Sequence, residues 1–313
     1  MSDTRLGVDG FAVQLMVVLC IIWGLQQVVI KLAAPDMAPM LQIGLRSMVA
    51  AVLVVVFMLW QRQPLALGDG TLLPGLLAGL LFALEFLFVA EGLRYTSAAH
   101  VVVLLYTAPI FAALGLHLLL PSERLRRLQW LGIGLAFGGI VIAFGAGALQ
   151  QRISSEVLLG DALALLAGLF WGMTTVAVRC SSLSRAAPAK TLLYQLLCAC
   201  LLVPLALLSG QLDTVRLTPV VWGSLLYQSV LVSFVAFLTW FWLLRRYLAS
   251  RLGVFSFMTP LFGVVFGVWL LDERIDAFFV CGGVLVLLGI TMVSADGWWR
   301  RVLRREPARQ PLG

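Results

Sequence analysis

Charge is what this chain has least of. Asp, Glu, Lys and Arg make up 12% of its 313 residues, about half the share of a soluble domain. A mean hydropathy of +1.01 and a 61% hydrophobic content complete the picture, and together they exclude a soluble globular protein. Histidine occurs twice and cysteine five times. Cys20, Cys180, Cys198, Cys200 and Cys281 form no CxxC pair and are odd in number, so neither a disulfide framework nor a zinc site is expected. They read as small core residues in apolar segments. The sequence also lacks HExxH, GxSxG and a Walker-type glycine loop, which argues against metalloprotease, serine hydrolase and ATP-driven chemistry. No enzyme activity and no cofactor are expected.

What charge there is sits in short gaps. The formal net charge is +7 and the pI about 9.6, but no nucleic-acid motif accompanies the basic residues, and their placement is that of membrane topology. Runs of about 20 apolar residues are long enough to cross a bilayer. Cutting at the polar breaks predicts ten of them, at 11–32, 39–60, 72–93, 98–119, 127–148, 157–178, 189–209, 219–244, 250–271 and 277–296. No small-residue cleavage site follows the first run, so it reads as a retained helix. With a cytoplasmic N-terminus, sixteen of the 22 Lys and Arg residues fall on the cytoplasmic side and five outside. The positive-inside rule therefore predicts that both termini are cytoplasmic.

The two halves of the chain resemble each other. Trp23-Gly24 recurs as Trp171-Gly172, and Pro39 as Pro188. LRYTSAAHVVVLLYTAPIF aligns with RRYLASRLGVFSFMTPLFG, pairing Tyr95 with Tyr247 and Pro109 with Pro260. SERL at 122–125 matches DERI at 272–275, and Gly132 and Gly139 match Gly282 and Gly289. The offset stays between 148 and 152 throughout. An odd number of spans per copy inserts the second copy upside down. The fold class expected is an all-α integral membrane protein of ten transmembrane helices in two inverted five-helix repeats, residues 1–149 and 150–297, followed by a basic tail at 298–313. Inverted repeats are a recurrent plan for secondary transporters, with the substrate bound near the midplane where the halves meet.

On the repeated WG pair, the RYTSAA…YTAP segment and the ER pair after spans four and nine, the chain resembles the drug/metabolite transporter superfamily, in its ten-helix EamA type. The resemblance covers residues 11 to about 296. It implies a secondary active transporter in a bacterial inner membrane, most often an exporter of amino acids, their derivatives and other small amphipathic metabolites. An importer, or a proton-coupled pump for cationic drugs or metallophores, is the alternative.

Which residues could carry transport follows from the cost of polarity in lipid. Glu85 sits in the middle of LLFALEFLFVAEGLRY, and a charge at the centre of a spanning helix costs at least roughly 2.5 kcal/mol unless it faces a cavity or a partner. Arg46 is the basic residue well inside a span. Counting at about 1.5 Å per residue puts both roughly 10–12 Å below the same surface. The pair either clasps spans two and three together or holds the ammonium and carboxylate of a zwitterion, with Glu85 also able to take a coupling proton. Gln42, one turn before Arg46, extends its polar face. Span one adds Trp23, Gln26 and Gln27, span six Trp171, Thr174 and Thr175, and span seven Tyr194 and Gln195. His100, His117 and Glu91 carry less weight. Pro109 and Pro260 read as mid-span kinks or hinges, and Gly75/Gly79, Gly134/Gly138 and Gly263/Gly267 as helix-packing pairs. The expected partners are a small-molecule substrate, the lipid bilayer and protons as a coupling ion, in a monomer or homodimer.

Overall fold

The structure, a computed structural model, describes residues 9–63, 68–121, 124–145, 154–212, 215–247 and 255–303. It is an all-α, membrane-type fold without a β-sheet among the described residues. Among the described residues, seven helical segments are long and apolar enough to cross a membrane, and three more are apolar but shorter. The helices are α1 (Gly10–Ala33), α2 (Pro39–Trp60), α3 (Leu72–Tyr95), α4 (Ala98–Leu105), α5 (Ala108–Leu119), α6 (Arg127–Ile140) and α7 (Ser155–Arg179). They continue as α8 (Pro188–Ala199), α9 (Leu202–Leu208), α10 (Pro219–Leu226), α11 (Phe237–Arg246), α12 (Met258–Leu271) and α13 (Ala277–Leu303).

Local chemistry sets the helix starts. Asp9, Ser97, Ser154 and Thr218 each accept a backbone N–H of the first turn, as N-caps do. Pro39, Pro109, Pro188 and Pro219 occupy first-turn positions, where a missing N–H costs nothing. The helix ends then sort onto two faces. At one face Lys31 donates to the Thr96 carbonyl, and Thr218 donates to Asp36 at 2.9 Å. At the other, Lys190 reaches Asp69 at 2.6 Å and Tyr247 donates to Asp9 at 2.9 Å. Lys190 and the Thr71 hydroxyl hold the Asp69 carboxyl down to about 2. The ties join the ends that helices alternating in direction would bring together.

Several expected spans are interrupted. The fourth breaks at Tyr106–Thr107 into α4 and α5, and Pro109 lies in the first turn of the second piece. The chain before α12 makes the same two-residue turn at Ser256–Phe257, with Pro260 in the first turn beyond it. Both prolines thus start helices after a break; they do not kink a continuous one. The seventh span also divides, at Cys200–Leu201, and π-helical stretches at Val141–Gly145 and Tyr227–Ala236 widen the fifth and eighth. The tenth runs on as helix to Leu303, past the expected limit of 296. Residues 304–313, most of the basic tail, lie outside the described residues, as do Arg5, Ser122, Glu123, Arg152 and Arg251.

Glycine sets the close approaches. A Cβ on Gly132 would stand 2.7 Å from the Gly289 carbonyl, and one on Gly289 only 2.3 Å from the Gly132 carbonyl. Gly139 and Gly282 meet in the same reciprocal way, at 2.5 and 2.4 Å. These four glycines pack α6 directly on α13. Of the expected pairs, Gly75 and Gly79 do pack, on Tyr194 and Cys198, and Gly263 packs on Val102. Gly134 and Gly138 do not: a Cβ there would touch nothing. Their spacing puts them on one face, and that face is the one turned away from α13. Two cysteines also depart from the expected core placement, since Cys180 and Cys281 are exposed. Gly139→Ala should therefore overpack the α6–α13 seam and cost about 1–3 kcal/mol. Gly134→Ala should leave the midpoint of thermal unfolding in detergent unchanged, and equal effects of the two would refute the seam.

Candidate functional site

Arg46 on α2 and Glu85 on α3 are 2% and 5% exposed, each with the other's charge acting on it. The guanidinium lies over the Phe86 ring, 4.3 Å from its centroid. Yet the groups are not spent on each other. Arg46 Nε and Nη1 and Glu85 Oε2 are all buried with no hydrogen-bond partner. Unpaired charge inside a low-dielectric bundle is costly, so these unbonded groups call for an explanation.

The surroundings come from four more spans. Tyr106, at the break of the fourth span, is buried, with the Thr259 side chain beside its hydroxyl. Thr259 is fully buried and its Oγ1 closes no hydrogen bond. Trp171 sets its ring edge-on against Tyr106 at 5.1 Å. Beyond Trp171 lies a cavity of about 300 Å³, lined also by Pro109, Ala112, Leu116, Gln129 and Thr175. Tyr106 is the last residue of the α4 ladder, its N–H still bonded to the Val102 carbonyl, and the chain turns just beyond it.

The other residues expected from sequence are placed as follows. Gln42 is fully occupied: its Nε2 donates to the Ile30 and Met37 carbonyls, and its Oε1 accepts from Ser224 and Gln228. It ties the first, second and eighth spans and offers no free group to a ligand. Trp23 packs against Phe237 and Trp240, its indole Nε1 buried and unpartnered. Gln26 and Gln27 are buried, and Gln27 Oε1 is likewise unpartnered. Tyr194 bonds Thr71 at 3.1 Å and covers Gly75, so the structure sets it in helix packing, apart from Arg46 and Glu85. Gln195 is half-buried. Thr174 and Thr175 bond back to carbonyls one turn earlier on their own helix. Among the described residues no group of three or more His, Cys, Asp or Glu could hold a metal ion.

Both WG pairs have a structural reason. A Cβ on Gly24 would lie 2.8–3.0 Å from the Thr259 carbonyl, Phe262 Cβ and Gly263 nitrogen. A Cβ on Gly172 would lie 2.7–2.9 Å from Phe111 Cβ, the Ala108 carbonyl and the Ala112 nitrogen. Each glycine thus lets its helix rest on the backbone just past a helix break, and the contacted residues correspond at an offset of 151.

The model of the EamA-like transporter family matches residues 10–145 and again 158–295. The chain belongs to the EamA-like transporter family. It is an integral membrane transporter and not an enzyme. This EamA-like transporter is 29% identical over 287 residues to an uncharacterized transporter of Archaeoglobus fulgidus, covering 90% of this chain and 96% of that one. It is also 29% identical over 292 residues to the "Probable amino-acid metabolite efflux pump" of Salmonella typhimurium, covering 90% and 93%. The Escherichia coli protein of the same description is 27% identical over 308 residues, covering 95% and 98%. A solved crystal structure shares the fold with a TM-score of 0.65 at 19% identity, over 96% of this chain and 100% of that one.

Of the residues described here, sequence reasoning singled out Arg46, Glu85 and Trp171 and did not single out Tyr106 or Thr259. It also passed over Asp161, which is 4% exposed on α7. A carboxylate within LLGDALALLAGLFW was a signal of the same kind as Glu85.

Proposed function

We propose that this protein is a secondary active exporter of small zwitterionic metabolites, amino acids or their derivatives, working by alternating access. One observation carries the reading: two unpartnered guanidinium nitrogens and an unpartnered carboxylate oxygen share one buried site. Arg46 would take the substrate's carboxylate as a charge-assisted donor, and Glu85 its ammonium. Phe86, Tyr106 and Trp171 would face its apolar part. A solute lacking either charge would leave one ion buried and unpaired, which gives selectivity.

The mechanical part of the reading is two inverted repeats, residues 1–149 and 150–297, with cytoplasmic termini in a bacterial inner membrane. It is supported by reciprocal contacts of equivalent residues, Gly132 with Gly289 and Gly139 with Gly282. Such an exchange, i on j′ and j on i′, is what a two-fold relation requires. The matching seats of Gly24 and Gly172 support it too. The naming of the Salmonella and Escherichia relatives as probable amino-acid metabolite efflux pumps favours amino-acid metabolites as cargo.

The test is counterflow. Purified protein in liposomes loaded with an unlabelled amino acid should accumulate the labelled one, with the amino acids chosen by a thermal-shift screen. Absence of a thermal shift and of counterflow with every zwitterion tried would overturn the assignment.

A further inference from the structure

The turn Thr96–His100, which opens α4, is gripped from three sides. Lys31 on α1 donates through Nζ to the Thr96 carbonyl. Glu273, between α12 and α13, accepts the N–H groups of Ala98 and Ala99 at 2.6 and 3.0 Å. Asp161 on α7 accepts the Thr96 hydroxyl at 2.7 Å and meets His100 Nδ1 at 2.9 Å, both through Oδ1. Its other oxygen, Oδ2, is buried without a partner. The His100 ring lies flat on Phe279 of α13, 4.2 Å between centroids and 9° between planes.

We propose that this turn is a proton-sensitive latch on the face assigned to the outside. The Asp161–His100 ion pair closes it, and loss of the imidazole proton releases it. A bond between an imidazolium and a carboxylate is roughly twice as strong as one from a neutral donor. Histidine is the side chain whose charge changes between about pH 5 and 8. Once the ring is neutral, Asp161 is a buried carboxylate with one idle oxygen and two neutral donors, an arrangement that burial penalises. Moving the α4 end toward water relieves it. The latch is tight in acid and loosens as the pH rises.

Other charged groups among the described residues stand near the turn. Lys31 and Glu273 face the turn with opposite charge, one from α1 and one from the α12–α13 connection. Glu91 and Arg94 pair with each other at the end of α3, Glu156 is exposed on the first turn of α7, and α13 presents the Phe279 ring. Asp161 is six residues into α7, roughly 9 Å along it. That is too shallow to ferry a proton to the midplane and suited to sensing the medium at this face. A fixed staple would have the same bonds; only a pH-dependent opening separates the two.

Ala99 is fully buried beneath the latch. The full-length protein carrying Ala99→Cys, in liposomes, is labelled with a membrane-impermeant maleimide, and labelling of the Ala99 parent is subtracted. Dividing each rate by that of the Asp161→Asn companion cancels the thiol's own ionisation. The ratio is expected to rise between pH 6 and 8, toward one, as the charge-assisted bond gives way to a neutral one. His100→Gln, which keeps a donor without the charge, should remove the pH dependence. A ratio that stays flat, or an Asp161→Asn protein that labels no faster than its parent, overturns the latch. If Asp161→Asn does not fold, raw rates for His100 and His100→Gln at each pH decide. The proposal uses the alternating-access reading only in supposing that this face opens. Labelling needs no substrate, so a protein that opens as expected without counterflow would sink the transport reading alone.

Discussion

Glu85→Gln is expected to reduce zwitterion counterflow by at least about thirty-fold, the lower end of the 2–5 kcal/mol lost when one member of a buried charge contact is removed. Thermal stability should fall by less than a hydrogen-bonded clasp would lose. The two readings of the Arg46–Glu85 pair diverge here. A structural clasp that loses one partner leaves a buried uncompensated charge and costs about 3–5 kcal/mol. In this structure, however, Glu85 Oε2 and two Arg46 nitrogens have no bonds to lose, and the guanidinium keeps its seat over Phe86. The double variant Arg46→Gln/Glu85→Gln sharpens the contrast. A clasp would recover stability once both charges are gone, whereas a substrate site would stay inactive. A Glu85→Gln protein that transports normally, or that unfolds many degrees lower and is rescued by Arg46→Gln, would remove the pair from the substrate site.

Depth and polarity made that pair legible in the sequence. A carboxylate and a guanidinium at the same counted depth on adjacent spans are visible from spacing alone, because helix rise is constant. Tyr106 and Thr259 were not legible. Neither residue type is costly in a spanning helix, and what makes them part of the site is a meeting of the fourth and ninth spans that sequence neighbourhood does not encode. The breaks at 106–107 and 256–257 were half visible: proline marked the place, but the same residue signals a kink inside a helix and a start after a turn. Gln42 shows a different limit. Its face was read as polar, which it is, but its four hydrogen bonds go to the Ile30 and Met37 carbonyls, Ser224 and Gln228. The glycine pairs failed at 134 and 138 for a geometric reason. Spacing of four says that two residues share a face; it does not say which face meets a neighbour. The corresponding glycines at 132/282 and 139/289 were found from the repeat, and those four do touch a neighbour, 132 on 289 and 139 on 282.

Enlarging the two WG glycines should test whether the halves work as equivalent engines. Gly24→Leu and Gly172→Leu are each expected to lower counterflow by ten-fold or more, and by similar factors. A Cβ at either site already collides with backbone atoms at 2.8–3.0 Å, which no rotamer change can relieve. Overpacking of a tight contact costs about 1–3 kcal/mol when a methylene or two is added, and a leucine adds more. The strain falls at a particular place. It lifts α1 off the start of α12 in one case and α7 off the start of α5 in the other, beside the breaks that present Thr259 and Tyr106 to the site. Helix ends next to a break are where a bundle can swing without unravelling, so the damage should appear in flux before it appears in folding. Gly134→Leu, whose Cβ would meet nothing within 4 Å, is the matched control and should transport normally. If Gly172→Leu abolished counterflow while Gly24→Leu left it intact, the two seats would be alike in geometry and unlike in function. Exchange of roles between the halves, the core of the alternating-access reading, would then be wrong.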